Sequence, residues 1–287
     1  MSIGGNQSPF PSASAEAALV EGAGDAAFAT TLAKGLAVLE AFQAGPAVLG
    51  NVELAARTGI PRQTVARLSH TLAELGYLCH DPRLAKYRLG LRSLRMARPL
   101  LAGMAFRQAA RPLMQQFAED VRATVSVGVL DSTSAIYVET ARFGDAGPHV
   151  PDIGMSIPVI RSAIGRAMAS LLSADERAAL EMRIQAENPG LWATHHQKYI
   201  SAVQDCAERG FCTSYGDWRP TIHAVASPLF RGARQQEIFA INCGLPAFRL
   251  QPGQIESDIG PRLKTLAMSI CASIAEQDDP TPISRRA

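Results

Sequence analysis

Apolar residues recur at helical spacing shortly after an irregular N-terminal segment. Leu32, Leu36, Leu39 and Phe42 lie three or four residues apart, which predicts a first helix with one apolar face. The segment before it, residues 1–28, is rich in Ser, Gly, Ala and Pro and has no apolar periodicity. We therefore expect residues 1–28 to be a disordered tail.

A pair of short helices joined by a tight turn is predicted next, between Asn51 and Leu75. Gly59 can end the first helix, because glycine adopts the left-handed conformation that helix exits often need. Pro61 suits the start of the second, since proline has a helical φ and no N–H to leave unbonded. The second helix then has an apolar face formed by Val65, Leu68, Leu72 and Leu75.

The opposite face of the second helix is polar and carries groups suited to DNA. Arginine pairs well with guanine and glutamine with adenine in the major groove, and a helix-turn-helix presents such residues from its second helix. A plain helical hairpin with a solvated face remains the alternative. The candidate DNA-binding residues of this helix are Arg62, Gln63, Thr64, Arg67, His70 and Thr71.

A β-hairpin is predicted directly after these helices. Two short β-like runs, ending at His80 and beginning at Lys86, flank a turn around Asp81, Pro82 and Arg83. In this position the hairpin would be the wing of a winged helix-turn-helix, with Arg83 and Lys86 at its tip against phosphate or the minor groove. An ordinary exposed hairpin is the alternative.

The next segment keeps a helical apolar stripe and is predicted to be a linker helix over residues 91–104, with Pro99 as a possible kink. Its apolar seam can pair with the same helix of another subunit or pack on its own domain. Beyond it, a long helix from Phe106 precedes strands at 124–130 and 135–140, helices between 164 and 209, strands at 223–230 and 237–245, and a last helix from Ile255. Strand hairpins with helices between them predict an α+β domain, an antiparallel sheet with flanking helices.

Charge separates the two halves, although the whole chain has a net charge of only +2. Residues 28–98 hold ten Lys or Arg against four Asp or Glu, so this part is strongly positive, whereas residues 99–287 are nearly neutral. A positive domain beside a neutral one indicates a polyanionic partner for the first only.

Composition also indicates the cellular compartment and argues against a membrane protein, a secreted protein and a disulfide-rich protein. The chain shows no uncharged apolar run long enough for a membrane helix and no secretory signal pattern, so we expect a cytoplasmic protein with no membrane partner. Five cysteines occur without a CxxC pair, which predicts reduced thiols and neither a zinc site nor a disulfide framework. A redox switch between Cys206 and Cys212 remains open.

Several segments together resemble the isocitrate lyase regulator (IclR) family of bacterial transcription factors. They are LAKGLAVLEAF, LAARTGIPRQTVARLSHTLAELGYL and YRLG in the first half, and VSVGVLDSTSAIYVE, IPVIRSAIGRAMASLL, ERGFCTSYGDWRPTIHAVASPLF and FAINCGLPAFRL in the second. The resemblance covers residues 30–275. It implies a winged helix-turn-helix, a linker helix and a GAF/profilin-like effector domain, in homodimers or homotetramers that bind palindromic or repeated DNA operators.

Composition and the resemblance together predict five parts of the chain. These are a tail at 1–28, a DNA-binding domain at 29–90, a linker helix at 91–104, an effector-binding and oligomerisation domain at 105–277, and a flexible C-terminus at 278–287. Carried over by position, Arg62, Gln63, Thr64 and Arg67 match the part of the recognition helix that enters the groove. Arg161, Ser162, Ala163, Gly165 and Arg166 depart from the family's usual sensor pattern, so the resemblance does not supply the ligand class.

A small-molecule site is expected where two predicted loops combine bulky and polar side chains. Arg161 and Arg219 can each bind a carboxylate through two hydrogen bonds, so a small carboxylated or aromatic metabolite is the predicted effector. Surface or packing roles for these side chains are the alternative. The candidate effector-binding residues are Met155, Ile157, Arg161, Ser162, Ala163, Ser214, Tyr215, Trp218, Arg219 and His223.

Two other functions are alternatives to ligand-controlled DNA binding. A DNA-binding oligomer without a ligand would have a fully packed second domain. A hydrolase could use Ser162 with a histidine, but no Gly-x-Ser-x-Gly elbow is present, and the adjacent His195 and His196 lack the spacing of a metal site. We therefore expect no catalytic residue, no metal and no cofactor.

Overall fold

The computed structural model describes residues 27–42, 48–144, 151–232 and 237–278. The chain forms two compact units, Met1–Gly103 and Met104–Ala287. The predicted N-terminal tail lies outside the described residues except for its last two positions, and so does the predicted C-terminus beyond Asp278. No helix in the described part of the chain has the length and apolar character needed to cross a membrane.

Within its described residues, the first unit contains four helices and one hairpin. In chain order these are α1 (Thr30–Glu40), α2 (Asn51–Thr58), α3 (Arg62–Glu74), β1 (Leu78–Asp81), β2 (Lys86–Leu89) and α4 (Leu91–Ala102). The strands of the hairpin are antiparallel, with Leu78 opposite Leu89 and Asp81 opposite Lys86. The hairpin follows the α2–α3 pair directly, as expected for a winged helix-turn-helix.

The turn between α2 and α3 is fixed by local contacts. Gly59 has a φ of 67°, in the left-handed region that glycine adopts without strain. The Thr58 hydroxyl donates to the Leu54 carbonyl at 2.8 Å and accepts the Ile60 N–H at 3.3 Å, and the Ile60 side chain is buried. Pro61 precedes α3 as its N-cap instead of occupying its first turn. These contacts hold α3 at a defined angle to α2.

The apolar face predicted for α1 is wrong in its first half. Leu32 is 64% exposed and Leu36 is 47% exposed, so neither belongs to the core of the unit. The reason is packing, because small residues allow α1 to approach α3 closely; a Cβ on Gly35 would lie 4.0 Å from Leu68 Cδ2. The buried residues of α1 and its end are Gly35, Ala37, Val38, Ala41 and Phe42.

The second unit is an antiparallel six-stranded sheet with helices on both faces. Its elements are α5 (Phe106–Val121), β3 (Thr124–Asp131), β4 (Ser134–Arg142), β5 (Ser156–Pro158), α6 (Ala163–Ala169), α7 (Ala174–Glu187), α8 (Pro189–Arg209), β6 (Cys212–Tyr215), β7 (Ile222–Arg231), β8 (Ile238–Pro246) and α9 (Gly260–Asp278). The strand order is β5-β4-β3-β8-β7-β6. This confirms the predicted α+β class.

The two faces of the sheet carry different helices. Helices α5 and α9 pack on one face, where Phe106 contacts Phe239 edge-to-face with ring centroids 5.1 Å apart. Helix α6 packs on the other face, and α8 packs against α6. Side chains alternate along each strand, so neighbouring residues of β3 and β8 belong to opposite layers.

Three boundaries in this unit differ from the predictions. The segments predicted as ligand-binding loops contain two edge strands, β5 and β6, which have only three and four residues. Helix α8 begins at Pro189 instead of Gln197, because the Asn188 side chain accepts the Leu191 N–H at 3.0 Å and caps it. The last helix is preceded by a π-helical segment, Ile255–Ile259.

Candidate functional site

The polar face of α3 is open to solvent. Arg62, Gln63 and Arg67 are exposed, and neither arginine forms an ion pair with a described residue. His70 and Thr71 are also exposed on this helix. The opposite face is fixed in the core by Val65, Ser69 and their neighbours. A charged face of this kind, held on a rigid helix, can donate hydrogen bonds to phosphates and base edges.

Two threonines of this face are less available for contacts with DNA than the sequence suggests. The Thr71 hydroxyl donates to the Arg67 carbonyl at 3.0 Å, which leaves only its acceptor positions free. Thr64 is half-buried because it borders the apolar face of α3. The side chains that extend fully from this face are therefore the two arginines, Gln63 and His70.

The tip of the hairpin presents Arg83 but not Lys86. Asp81 Oδ1 accepts the N–H groups of Arg83 at 2.9 Å and Leu84 at 3.3 Å, and this shapes an exposed turn. Lys86 begins β2, and its Nζ lies 2.5 Å from Glu53 Oε1 in the first turn of α2. The Lys86 hydrogen bond, helped by the Gly50 N–H, lowers the pKa of Glu53. Lys86 therefore ties the hairpin to α2 instead of projecting as a free cation.

Arg57 is another cation with a structural role. Its Nη1 donates to the Ala41 carbonyl at 2.8 Å and so holds the end of α1. The exposed positive charge in the described part of the first unit belongs to arginines on α3, the hairpin and α4, and Lys34 on α1 is half-buried. The exposed ones are Arg62, Arg67, Arg83, Arg88, Arg92, Arg95 and Arg98.

A cavity of about 470 Å³ lies in the second unit, on the face of the sheet that carries α6. Its floor is formed by β3, β4, β7 and β8, and its walls by the segments around α6 and β6. The described lining residues are Arg122, Ala123, Thr124, Ser126, Tyr137, Phe143, Gly144, Pro151, Ile157, Ser162, Ala163, Ser214, Trp218, Ile222, Ala224, Asn242, Gly244, Pro246 and Arg249.

Half of the predicted effector-binding residues line this cavity. They are Ile157, Ser162, Ala163, Ser214 and Trp218. Ile157 lies on β5 and Ser214 on β6, so the two edge strands that the sequence did not reveal position them. The Ser162 hydroxyl donates to the Pro158 carbonyl at 2.8 Å and accepts the Gly165 N–H at 3.2 Å, and Ser162 is the N-cap of α6.

The other five predicted residues are not among the lining residues. Met155 packs against the apolar core, and Tyr215 is exposed, with its hydroxyl bonded to Glu256 and its ring edge-to-face with His223. The Arg219 guanidinium lies 4.5 Å from the Trp218 ring centroid. Burial, with a smaller contribution from the charge of Arg219, lowers the pKa of Arg161. The two arginines predicted to bind a carboxylate are therefore neighbours of each other outside the cavity wall.

The inner part of the cavity is polar but uncharged. Asn242 is 7% exposed, and its Oδ1 has no hydrogen-bond partner among the described residues. Burial raises the pKa of Tyr137, and the neighbouring Asn242 opposes that shift only partly, so the phenol stays neutral. A buried amide oxygen without a partner is costly unless a ligand or water donates to it. This end of the cavity is suited to a neutral polar group of a ligand.

A buried ion pair beside the cavity was missed by the sequence analysis. Arg166 on α6 donates to Asp217 Oδ2 at 2.8 Å and to the Ile160 carbonyl at 2.9 Å, and its side chain is only 1% exposed. Asp217 also accepts from Lys198 at 2.5 Å and from the Ser214 hydroxyl at 3.2 Å. Burial alone would raise the pKa of Asp217, but Lys198 and Arg166 outweigh it and lower the pKa. The network fixes the segment that carries Trp218.

The histidines and cysteines that the sequence singled out make structural contacts in the second unit. No group of three or more His, Cys, Asp or Glu side chains in the described ranges is placed to hold a metal ion. His196 stacks on Trp192, with ring centroids 5.7 Å apart. Cys206 and Cys212 are both buried, and their contact, together with burial, raises the pKa of Cys212. A raised pKa disfavours the thiolate that redox chemistry needs.

The comparisons with known proteins agree with both units. The profile of the IclR helix-turn-helix domain matches residues 31–82, and that of the C-terminal domain of bacterial IclR transcriptional regulators matches residues 99–272. The HTH-type transcriptional regulator TsaQ1/TsaQ2 of Comamonas testosteroni is 28% identical over 85% of this chain and 88% of its own length.

Two solved structures define the fold similarity. An IclR family transcriptional regulator from Brucella abortus is 35% identical, covers 87% of this chain and 94% of its own, and superposes with a TM-score of 0.77. An IclR homologue from Microbacterium hydrocarbonoxydans, complexed with 4-hydroxybenzoate, is 18% identical over 86% of this chain and 99% of its own, with a TM-score of 0.64. The latter shows the fold alone.

Proposed function

Because the chain belongs to the IclR family of bacterial transcriptional regulators, we propose that α3 and the β1–β2 hairpin bind duplex operator DNA and that a small molecule in the cavity of the second unit changes the affinity for that DNA. The site of action is then the cytoplasm, where the genome lies. Coupling between two such sites is typically about 1 to 3 kcal/mol.

The observation that carries the DNA-binding assignment is that α3 has two exposed arginines, neither of which forms an ion pair with a described residue. Arg62 and Arg67, with Gln63 between them, lie at the leading part of the second helix of a helix-turn-helix. Bidentate contacts from arginine to guanine and from glutamine to adenine specify bases in the major groove. Arg83 at the hairpin tip supplies a phosphate contact, which positions the unit without specifying sequence.

We further propose that α4 pairs two or more copies of the chain. None of its residues is buried, and Leu91 and Leu94, three residues apart on one face, are 79% and 71% exposed. Exposed apolar stripes of this kind mark interaction surfaces. A dimer would hold two recognition helices at the spacing of half-sites, which lie about one helical turn of DNA apart.

Sedimentation velocity tests the pairing. Leu94→Glu should shift the chain towards the monomer, because a charge in an apolar seam is costly to bury. Met182→Glu is the matched control, since Met182 on α7 is 65% exposed and lies outside α4. An unchanged assembly in Leu94→Glu would contradict the proposal for α4.

The cavity supports the effector assignment by its size and its polar interior. Its volume of about 470 Å³ lies in the usual range of small-molecule sites, roughly 300 to 1,000 Å³. It also argues against the alternative of a ligand-independent oligomer, which would have a fully packed interior. The 4-hydroxybenzoate complex of a protein with this fold gives a first probe of the proposed class, a small aromatic or carboxylated molecule.

Selection of bound fragments from the host genome tests the DNA-binding function. The wild-type chain should enrich a discrete set of fragments that share a repeated or palindromic element. Arg67→Ala should lose that enrichment while it retains weak binding to random duplex DNA. Enrichment of no fragment by the wild type, or an identical set with Arg67→Ala, would contradict the assignment of base recognition to α3.

A further inference from the structure

We propose that Arg122 and Arg249 form the anion-binding end of the cavity, so that the effector is an organic anion with its charged group at that end. We refer to these two residues as the arginine end. The inference rests on the proposed effector site and specifies the charge and the orientation of the molecule within it. It also assigns anion binding to residues other than Arg161 and Arg219, which lie outside the cavity lining.

Both arginines lie at the same end of the sheet. Arg122 follows α5 and precedes β3, and Arg249 belongs to the short 3-10 turn after β8. Because β3 and β8 are antiparallel, with Thr124 opposite Gly244, the start of one strand lies beside the end of the other. Both side chains consequently reach the same part of the wall.

The arginine end, formed by two exposed side chains, gives the described wall of the cavity a positive charge. Among the described lining residues, Arg122 and Arg249 are the ones charged at neutral pH, and no aspartate or glutamate is present. Neither arginine forms an ion pair with a described residue; their guanidinium carbons lie 5.7 Å and 5.6 Å from the ring centroids of Phe143 and Phe248. Arginine without an ionic partner is suited to bidentate binding of a carboxylate, sulfonate or phosphate.

The opposite end of the cavity sets the length of the ligand. Asn242 Oδ1 is buried without a partner, and Asn242 precedes Gly244 by two residues on β8. Asn242 pairs with Ser126, which is four residues after Arg122, and four residues of a strand span about 13 Å, of which the arginine side chain covers part. Molecules with an anionic group and a hydrogen-bond donor at opposite ends of one aromatic ring, or of about six carbons, are therefore the probes matched to the remaining length.

A second cleft of about 490 Å³ shares Arg122, Phe143 and Arg249 with the cavity and also contains Asp120 and Asp258. Both aspartates lie close to Arg262, at 3.5 Å and 3.7 Å. Neither aspartate forms an ion pair with Arg122 or Arg249, so both guanidinium groups keep their charge for an anion.

Calorimetric titration of the full chain with matched acid and amide pairs tests the inference. The pairs are 4-hydroxybenzoate with 4-hydroxybenzamide and 6-hydroxyhexanoate with 6-hydroxyhexanamide, which differ mainly in charge. At least one acid should bind about 10-fold to 100-fold more tightly than its amide, the range expected for hydrogen bonds to a charged group.

Variants at the arginine end should remove this preference. Arg249→Gln and Arg122→Asn should bring the acid close to the affinity of its amide, whereas Arg249→Lys should keep a preference for the acid. Asparagine is chosen at Arg122 because its φ is 52° and asparagine tolerates the left-handed region. Arg183→Gln, an exposed arginine on α7 outside the cavity, is the matched control and should behave like the wild type.

The possible outcomes separate this inference from the proposed function. Equal affinity for acids and amides overturns the anionic class but leaves an effector site and DNA binding in place. An acid preference that survives both Arg249→Gln and Arg122→Asn overturns the assignment to these two residues. Failure of every compound to bind overturns the inference together with the effector site, and operator binding by the same preparation then decides whether the DNA-binding half stands.

Discussion

The two units present their functional residues in opposite ways. In the first unit, Arg62, Gln63 and Arg67 are close in sequence on one helix and exposed, and the fold only holds the helix in place. In the second unit, the cavity is lined by residues from Arg122 to Arg249 that come from many separate segments, and several of them are buried. A DNA-binding face thus depends on charge left free at a surface, whereas a ligand cavity depends on strand pairing and packing.

Ion pairs show the same difference. The Lys86 and Glu53 side chains on the surface of the first unit are 34% and 43% exposed, while Arg166 and Asp217 in the second are 1% and 4% exposed. Exposed pairs contribute little to stability, but removing one partner of a buried pair leaves an uncompensated charge in a poorly solvated site. The comparison therefore predicts large effects of mutation in the interior of the second unit and small ones at the hairpin.

The largest effect is expected for Asp217→Asn. The change leaves the buried Arg166 guanidinium without its counter-charge and should lower the free energy of unfolding of the second unit by about 3 to 5 kcal/mol. Both tryptophans, Trp192 and Trp218, lie in this unit, so tryptophan fluorescence in a urea titration reports its unfolding.

A double variant and the pH dependence check this explanation. Replacing Arg166 by Met in the Asp217→Asn background should recover much of the loss, because no buried charge then remains. The lowered pKa of Asp217 means that its contribution is present above the ordinary value of 3.8 and is lost as the pH falls through the lower folded value. A single variant as stable as the wild type at pH 7 would contradict the account.

The second largest effect is expected for Arg67→Ala. Loss of a bidentate base contact should weaken binding to an operator fragment by about 1 to 3 kcal/mol, with much less change for random duplex DNA. Fluorescence anisotropy with both DNAs at one salt concentration measures the ratio. Arg183→Ala, a substitution on α7 in the second unit, is the matched control. Equal losses on operator and random DNA would reassign Arg67 to the phosphate backbone.

A smaller effect is expected for Arg83→Ala at the hairpin tip. Arg83 is exposed and its backbone N–H is bonded to Asp81, so the substitution should preserve the turn while it removes one phosphate contact. Affinity should fall to a similar extent on all DNA sequences, and the slope of log K against log salt should decrease by about one. A loss confined to the operator would instead indicate base reading by the hairpin.

The smallest effect is expected for Glu53→Gln. This substitution frees Lys86 from its carboxylate partner and should raise the affinity for random duplex DNA a few-fold, with a salt slope steeper by about one. Lys86→Gln should lower that affinity slightly, because it leaves the charge of Glu53 uncompensated, but it should leave the salt slope nearly unchanged, because no phosphate contact is lost. A strong loss with Lys86→Gln would show that Lys86 contacts DNA despite Glu53.

The first unit was largely predictable from the sequence, since its signals are local. The spacing of Val65 and Leu68, and the residues Gly59 and Pro61, determine α3 and therefore which side chains it exposes. The sequence did not predict the features that depend on packing between elements. Periodicity in α1 allowed Leu32 and Leu36 to face the core, but close approach to α3 selected the smaller residues. Likewise, nothing local indicates that Glu53 compensates Lys86.

The cavity was only half predictable, for reasons of strand length and pairing. Strands β5 and β6 are too short to show alternation, so the segments that carry Ile157 and Ser214 looked like loops. The arginine end comes from the residue that ends α5, just before β3, and from the turn after β8, which become neighbours only when those strands pair. Arg161 and Arg219 have guanidinium groups that can bind a carboxylate, yet they do not line the cavity.

The most direct test of the account is one pair of titrations on the full chain. Operator affinity is measured by anisotropy with and without a saturating amount of the tightest-binding acid, and the affinity for that acid is measured by calorimetry with and without operator. Ligand control of DNA binding predicts that both affinities change by the same factor, about 5-fold to 150-fold. Operator affinity that stays the same when the cavity is saturated would contradict it.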